Sequence, residues 1–215
     1  MLKRLAQHFG RWWLSGPKYE LSRALAGRWW TVPVQDAPEL RGTITLAALQ
    51  QARTLEQVVD AFRGRVYWEP DPVWQVWDRV YPPQLLLARG GDDCDGMAML
   101  HAQAICFALG PQGWQAFTGS YLADPWRLSH HVALARDPAG VWWAVQPQLT
   151  RKQYAQLGRS ARIVYGPYAA PEHALRDIAS CYGAEVLCYD IRDPHWLPVP
   201  VPDEPPLPKA NLWRP

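Results

Sequence analysis

The sequence has no run of about twenty apolar residues, the length a helix needs to cross a bilayer, so no membrane-spanning helix is expected. Its basic start also lacks the apolar stretch and small-residue cleavage site of a secretion signal, which makes a cytoplasmic location the expectation. An excess of one charge is missing too. Against 22 basic residues stand 20 acidic ones, and the resulting +2 is too little to suggest nucleic acid or an anionic membrane as the main partner. Cysteine is scarce: Cys94, Cys106, Cys181 and Cys188 form no Cys-x-x-Cys pair, which argues against a structural zinc and a disulfide framework and leaves reduced thiols. Asp92, Asp93 and Asp95 lack the spacing and distal glutamate of a calcium loop, so neither a metal nor a cofactor is implied.

Tryptophan and proline are abundant instead, with 13 and 21 residues. From Met1 to Arg41, Lys3, Arg4, Arg11, Lys18, Arg23 and Arg28 are interleaved with Trp12-Trp13 and Trp29-Trp30. Residues 1–41 are therefore read as a Trp-rich basic arm, which either docks on an assembly partner or caps the domain's own core. At the other end, residues 194–215 form a proline-rich tail that favours extended, polyproline-like backbone and suits a linker or a strap on a neighbouring subunit. Between them, residues 42–193 are long enough and apolar enough for one globular domain.

Within that domain the apolar periodicity predicts a helix from Leu46 to Phe62, helical spacing of Trp74, Trp77 and Val80, and a short helix from Gln84 to Ala88. A longer helix follows from Cys94 to Leu109, where Met97, Ala98, His101, Ile105, Ala108 and Leu109 mark one buried face and Gly110-Pro111 supplies the stop. Strands are expected at Trp114–Gly119, His131–Arg136 and Val141–Val145, with a hairpin turn at Asp137-Pro138-Ala139-Gly140. Leu149 to Ser160 is basic and polar. A strand at Ala161–Tyr165, a helix at Pro171–Cys181 and a strand at Ala184–Tyr189 complete the pattern. Helices beside antiparallel strands predict an α+β fold.

The stretch Gly90-Gly91-Asp92-Asp93-Cys94-Asp95-Gly96 is where chemistry is expected. With Asp92 or Asp93 as N-cap, Cys94 falls in the first helical turn, where the helix dipole and open amides favour a thiolate and can hold an oxyanion. The flanking carboxylates oppose the thiolate, so activation calls for a cation, most simply an imidazolium. Two histidines, His130 and His131, head the strand that follows. His131 is preferred because it shares a strand face with Ala133 and Ala135, which leaves room beside a packed helix, whereas His130 points oppositely.

The residues Asp71-Pro72, Trp77-Asp78, Pro82, Gly91, Asp93-Cys94-Asp95, Ala98, His131-Val132 and the Trp142-Trp143 strand together resemble the bacterial transglutaminase-like cysteine-protease group. The resemblance covers about Gly42 to Gln148. It implies a transglutaminase-like (papain-like) core, with a nucleophile helix packed on an antiparallel β-sheet, and it makes Cys94 the nucleophile and His131 the general base. The family's third residue, an Asp at the end of the next strand, is replaced here by Gln146, which can orient an imidazole but cannot stabilise its charge. Asp124 and Asp190 are candidate substitutes from elsewhere in the chain, with no sequence feature that places either beside His131. Trp74, Trp77 and Gln84 are candidates for oxyanion or substrate contacts.

The expected activity is thiol-dependent acyl transfer on an amide of a protein or peptide substrate, as a protease, amidase, deamidase or transglutaminase. The alternative is a catalytically weak or inactive module on the same core, serving in assembly or protein binding through the arm and the tail.

Overall fold

The computed structural model of the chain describes residues 36, 40, 43–70, 83–123, 130–146, 149–157, 162–195, 197 and 199. The basic arm other than residues 36 and 40, the Trp74 to Val80 segment, Asp124 and most of the proline-rich tail lie outside the described residues.

Thr43 opens helix α1, Ile44–Gln51, by accepting a hydrogen bond from Leu46 N on its hydroxyl. Thr54 does the same for Gln57 N and opens α2, Leu55–Phe62. The helix expected from Leu46 to Phe62 is thus two helices, because Ala52 and Thr54 are extended and a threonine cap serves a new helix start better than a helix interior. Strand β1, Tyr67–Trp68, and helix α3, Pro83–Arg89, precede β2, Gly91–Asp92, which pairs in parallel with β1.

Helix α4, Cys94–Leu109, is buried on almost every side, from Asp95 through Ile105, and so exceeds the single buried face expected. Helices α1 and α2 cover one side of it and a sheet covers the other. Met97, Leu100, Ile105 and Leu109 are fully enclosed, each worth about 1.5–3 kcal/mol of burial. A 3-10 turn at Gly110–Gln112 ends the helix. Gly110 stays right-handed, and it is Gly113, at φ +88, that takes the left-handed conformation.

The sheet comprises β3, Gln115–Leu122, β4, His130–Arg136, β5, Trp142–Val145, β6, Val164–Tyr168, and β7, Cys188–Arg192, in the order β6-β5-β4-β3-β7. All four pairings are antiparallel. The last two strands lie a few residues later than expected, since each is placed by its partner strand and not by its own composition. Two further helices are α5, Arg151–Leu157, in the stretch expected to be merely polar, and α6, Pro171–Cys181.

Strand alternation divides the sheet cleanly. Ala116, Ala133, Ala135 and Val145 join the core beneath α4, while Val132, Leu134, Trp142 and Ala144 join Ala174, Leu175 and Ile178 of α6 on the opposite face. The chain is an α+β protein with an antiparallel sheet between helices. The core also takes in Leu40, and contacts continue past residue 193, where Gln103 Nε2 donates to Pro194 O at 3.2 Å. Among the described residues no helix is long and apolar enough to cross a membrane.

Candidate active site

Glycine sets the approach to Cys94. A Cβ on Gly91 would lie 2.6 Å from Tyr67 O, so only glycine lets β2 pair this closely with β1. At Gly96 a Cβ would lie 1.8 Å from Asp92 Oδ2, so the buried Asp92 side chain folds against the first turn of α4 through the gap that glycine leaves. Asp93 is the N-cap, accepting from Asp95 N at 3.2 Å, and Asp95 Oδ1 accepts from Gly96 N at 2.8 Å. Met97 N donates to Asp93 O at 3.2 Å. Cys94 therefore stands at the first helical position with a partly exposed side chain, and the amides after it are taken up by the chain's own carboxylates and carbonyl.

Asp92, Asp93 and Asp95 bring carboxylate oxygens within 4.8 Å of one another, a grouping that resembles a cation site. The bonds from Asp93 and Asp95 to helix amides give these two residues a capping role that needs no ion.

The start of α4 lies over one particular end of the sheet. Because α4 leads through a short turn directly into β3, its C-terminus sits by the beginning of β3, and its N-terminus reaches the end of β3 and the beginning of β4. The side chains agree. Burial first, then the neighbouring charges of Tyr182, Cys94 and Cys181, push the Tyr121 hydroxyl above the usual phenol range, and Cys94 contributes in the same sense at Tyr182. Tyr121 pairs with His130 across β3 and β4.

The two histidines have separate surroundings. His131 is buried on the face shared with Ala133 and Ala135, and its Nδ1 lies 2.8 Å from Ser120 Oγ, the residue directly opposite on β3. His130 faces the α6 side, with its ring edge-on to Tyr121 at 5.5 Å and to Tyr182 at 5.6 Å. Burial holds its imidazole down at about 4, so it is neutral at pH 7.

Gln146 belongs with His130. Its side-chain amide donates to the Tyr182 hydroxyl and approaches His130 Nε2 at 3.4 Å, and these are its side-chain partners among the described residues. The expected row of Cys94, His131 and Gln146 is therefore not assembled as such: Gln146 and His131 point to opposite faces. Gln84 is buried on α3, which packs against β2 and α4, whereas Trp74 and Trp77 lie outside the described residues. Asp190, in β7, makes an ion pair with Arg192 at 2.7 Å and sits directly across from Ser120.

Ser120, Tyr121 and Tyr182 are absent from the sequence-based expectation. The β3 face that carries Ser120 reads Ala116, Thr118, Ser120 and Leu122, so its polar character is visible in the sequence while the partner it meets is not.

No protein-family model matches the chain, and no curated protein matches it.

Proposed function

We propose that the chain is a thiol-dependent acyl-transfer enzyme with a transglutaminase-like core, acting on an amide of a protein or peptide. The observation that carries this reading is the position of His131: it lies at the beginning of β4, on the α4 face of the sheet, with Nδ1 engaged by Ser120. His131 Nε2 is assigned to the thiol in this reading. In the first step the Cys94 proton passes to His131 Nε2 and Sγ attacks the amide carbonyl. The tetrahedral oxyanion collapses, the C–N bond breaks, and the leaving amine takes the proton from His131. Water or a second amine then resolves the thioester. The Cys94 amide, at the positive end of α4, is the proposed oxyanion donor.

The second reading, a non-catalytic binding or assembly module, is favoured by Gln146, since the residue at the family's acid position is turned toward His130 and Tyr182.

Glutamine-containing peptides offered together with a labelled primary amine test the proposal. Acyl adducts on Cys94 in the intact mass, lost in Cys94→Ser, are expected. Absence of any Cys94 adduct, with Cys106 and Cys181 labelled by iodoacetamide at least as fast as Cys94, would favour the second reading.

A further inference from the structure

Three side chains stand in a row across the sheet on its α4 face. His131 of β4 pairs with Ser120 of β3, and Ser120 pairs on its other side with Asp190 of β7. Strand alternation puts all three on one face, because Val132, Tyr121 and Ile191, their chain neighbours, all belong to the core on the α6 side. Ser120 and His131 are 2 % and 1 % exposed, so this polar pair is enclosed and its geometry is fixed by packing on both sides. Directly opposed residues on adjacent strands have Cβ atoms about 4.5–5.5 Å apart, within which a serine hydroxyl reaches a carboxylate. Asp190 is itself held at its Oδ2 by Arg192, whose Nε donates at 2.7 Å.

We infer that Ser120 and Asp190 together perform the orienting task that a carboxylate on β5 would otherwise perform. This rests on the acyl-transfer reading above. The Ser120 hydroxyl donates toward the Asp190 carboxylate and accepts from His131 Nδ1 at 2.8 Å, which sets the tautomer with Nε2 unprotonated, the form a base requires. The carboxylate's charge reaches the imidazolium through one hydroxyl, and Arg192 partly offsets it. Ser120 and Asp190 are positioning residues: they act on Cys94 only through His131.

The full chain labelled with nitrogen-15 at histidine tests this, together with the pH dependence of Cys94 alkylation. Wild type is expected to show His131 as the Nδ1-protonated tautomer. Ser120→Ala should release that preference and raise the Cys94 thiolate midpoint by about one pH unit, a tenfold loss of thiolate below both midpoints. Ser120→Thr, which keeps the hydroxyl, should restore both readouts, whereas a merely structural role would track thermal stability instead. Asp190→Asn should act in the same direction in wild type and add nothing in the Ser120→Ala background. If His131→Ala leaves the Cys94 titration unmoved, the acyl-transfer reading itself fails. If His131→Ala moves it but Ser120→Ala changes neither tautomer nor titration, the Ser120 and Asp190 inference is overturned alone. Additive effects of Asp190→Asn and Ser120→Ala would remove Asp190 from the row.

Discussion

Ser120 Oγ and His131 Nδ1 lie 2.8 Å apart across two antiparallel strands, both closed to solvent beneath the helix that begins at Cys94. Gln146, fifteen positions further along by the chain numbering, is bonded on the other face of the sheet to His130 and Tyr182.

That division separates two variants that a single shared network would make alike. Gln146→Ala is expected to leave the pH dependence of Cys94 alkylation unchanged while weakening the fold by about 0.5–1.5 kcal/mol, through loss of its bond to the Tyr182 hydroxyl and its contact with His130. Alkylation profiles and urea midpoints on the same protein check it. A shift in the Cys94 titration as large as that of His131→Ala would mean that the two histidines share one network.

Acid stability follows from two buried imidazoles. His101, whose Nδ1 donates to Met97 O at 2.8 Å, is held at about 4 by burial, as is His130, against 6.5 in the unfolded chain. The unfolded state therefore binds more protons between these values. The stabilising contribution is complete above about pH 6.5 and is lost as the pH falls toward about 4, by up to about 3 kcal/mol for each group. His101→Leu should remove about half of this slope, measured as urea midpoints at pH 7, 5.5 and 4.5.

At the N-cap, Asp93→Ala should cost about 1 kcal/mol, while Asp93→Asn should keep most of the cap. The asparagine also removes a negative charge beside Cys94. Its thiolate should consequently form at lower pH than in wild type, as followed by alkylation rate.

The two glycines differ in what an added methyl meets. At Gly91 it is the Tyr67 carbonyl at 2.6 Å, a backbone atom, so Gly91→Ala should cost about 1–3 kcal/mol and loosen the β1–β2 pair. At Gly96 it is the side chain of buried Asp92, its Cγ at 2.7 Å and its Cβ at 3.1 Å, so displacing Asp92 opposes the gain of up to about 1 kcal/mol that alanine brings in helix propensity. Gly96→Ala should therefore displace Asp92 and shift the Cys94 titration as well as the thermal melt, whereas Gly91→Ala should act on the melt alone.

The local parts of this arrangement were readable in the sequence. A polar Gly-Gly-Asp-Asp approach followed by spaced apolar residues places the helix start at Cys94, and Asp93 caps it. The break between α1 and α2 was signalled only by Thr54 with Gln57 three residues on. Thr150 and Gln153 make a reciprocal capping box that opens α5, a helix whose described side chains are all exposed. The partner of His131 could not be read in this way. Ser120 meets it through strand register, and Asp190 joins the row because β7 runs from Cys188 to Arg192 and pairs beside β3, relationships that no local spacing carries.

The most direct test of the acyl-transfer account is the pH dependence of iodoacetamide labelling at each cysteine, by mass spectrometry, in wild type, His131→Ala and His130→Ala. The account predicts that Cys94 reacts fast near pH 6, that His131→Ala moves its titration upward, and that His130→Ala leaves it in place. Cys94 reacting no faster than Cys106 or Cys181, and indifferent to His131, would contradict it.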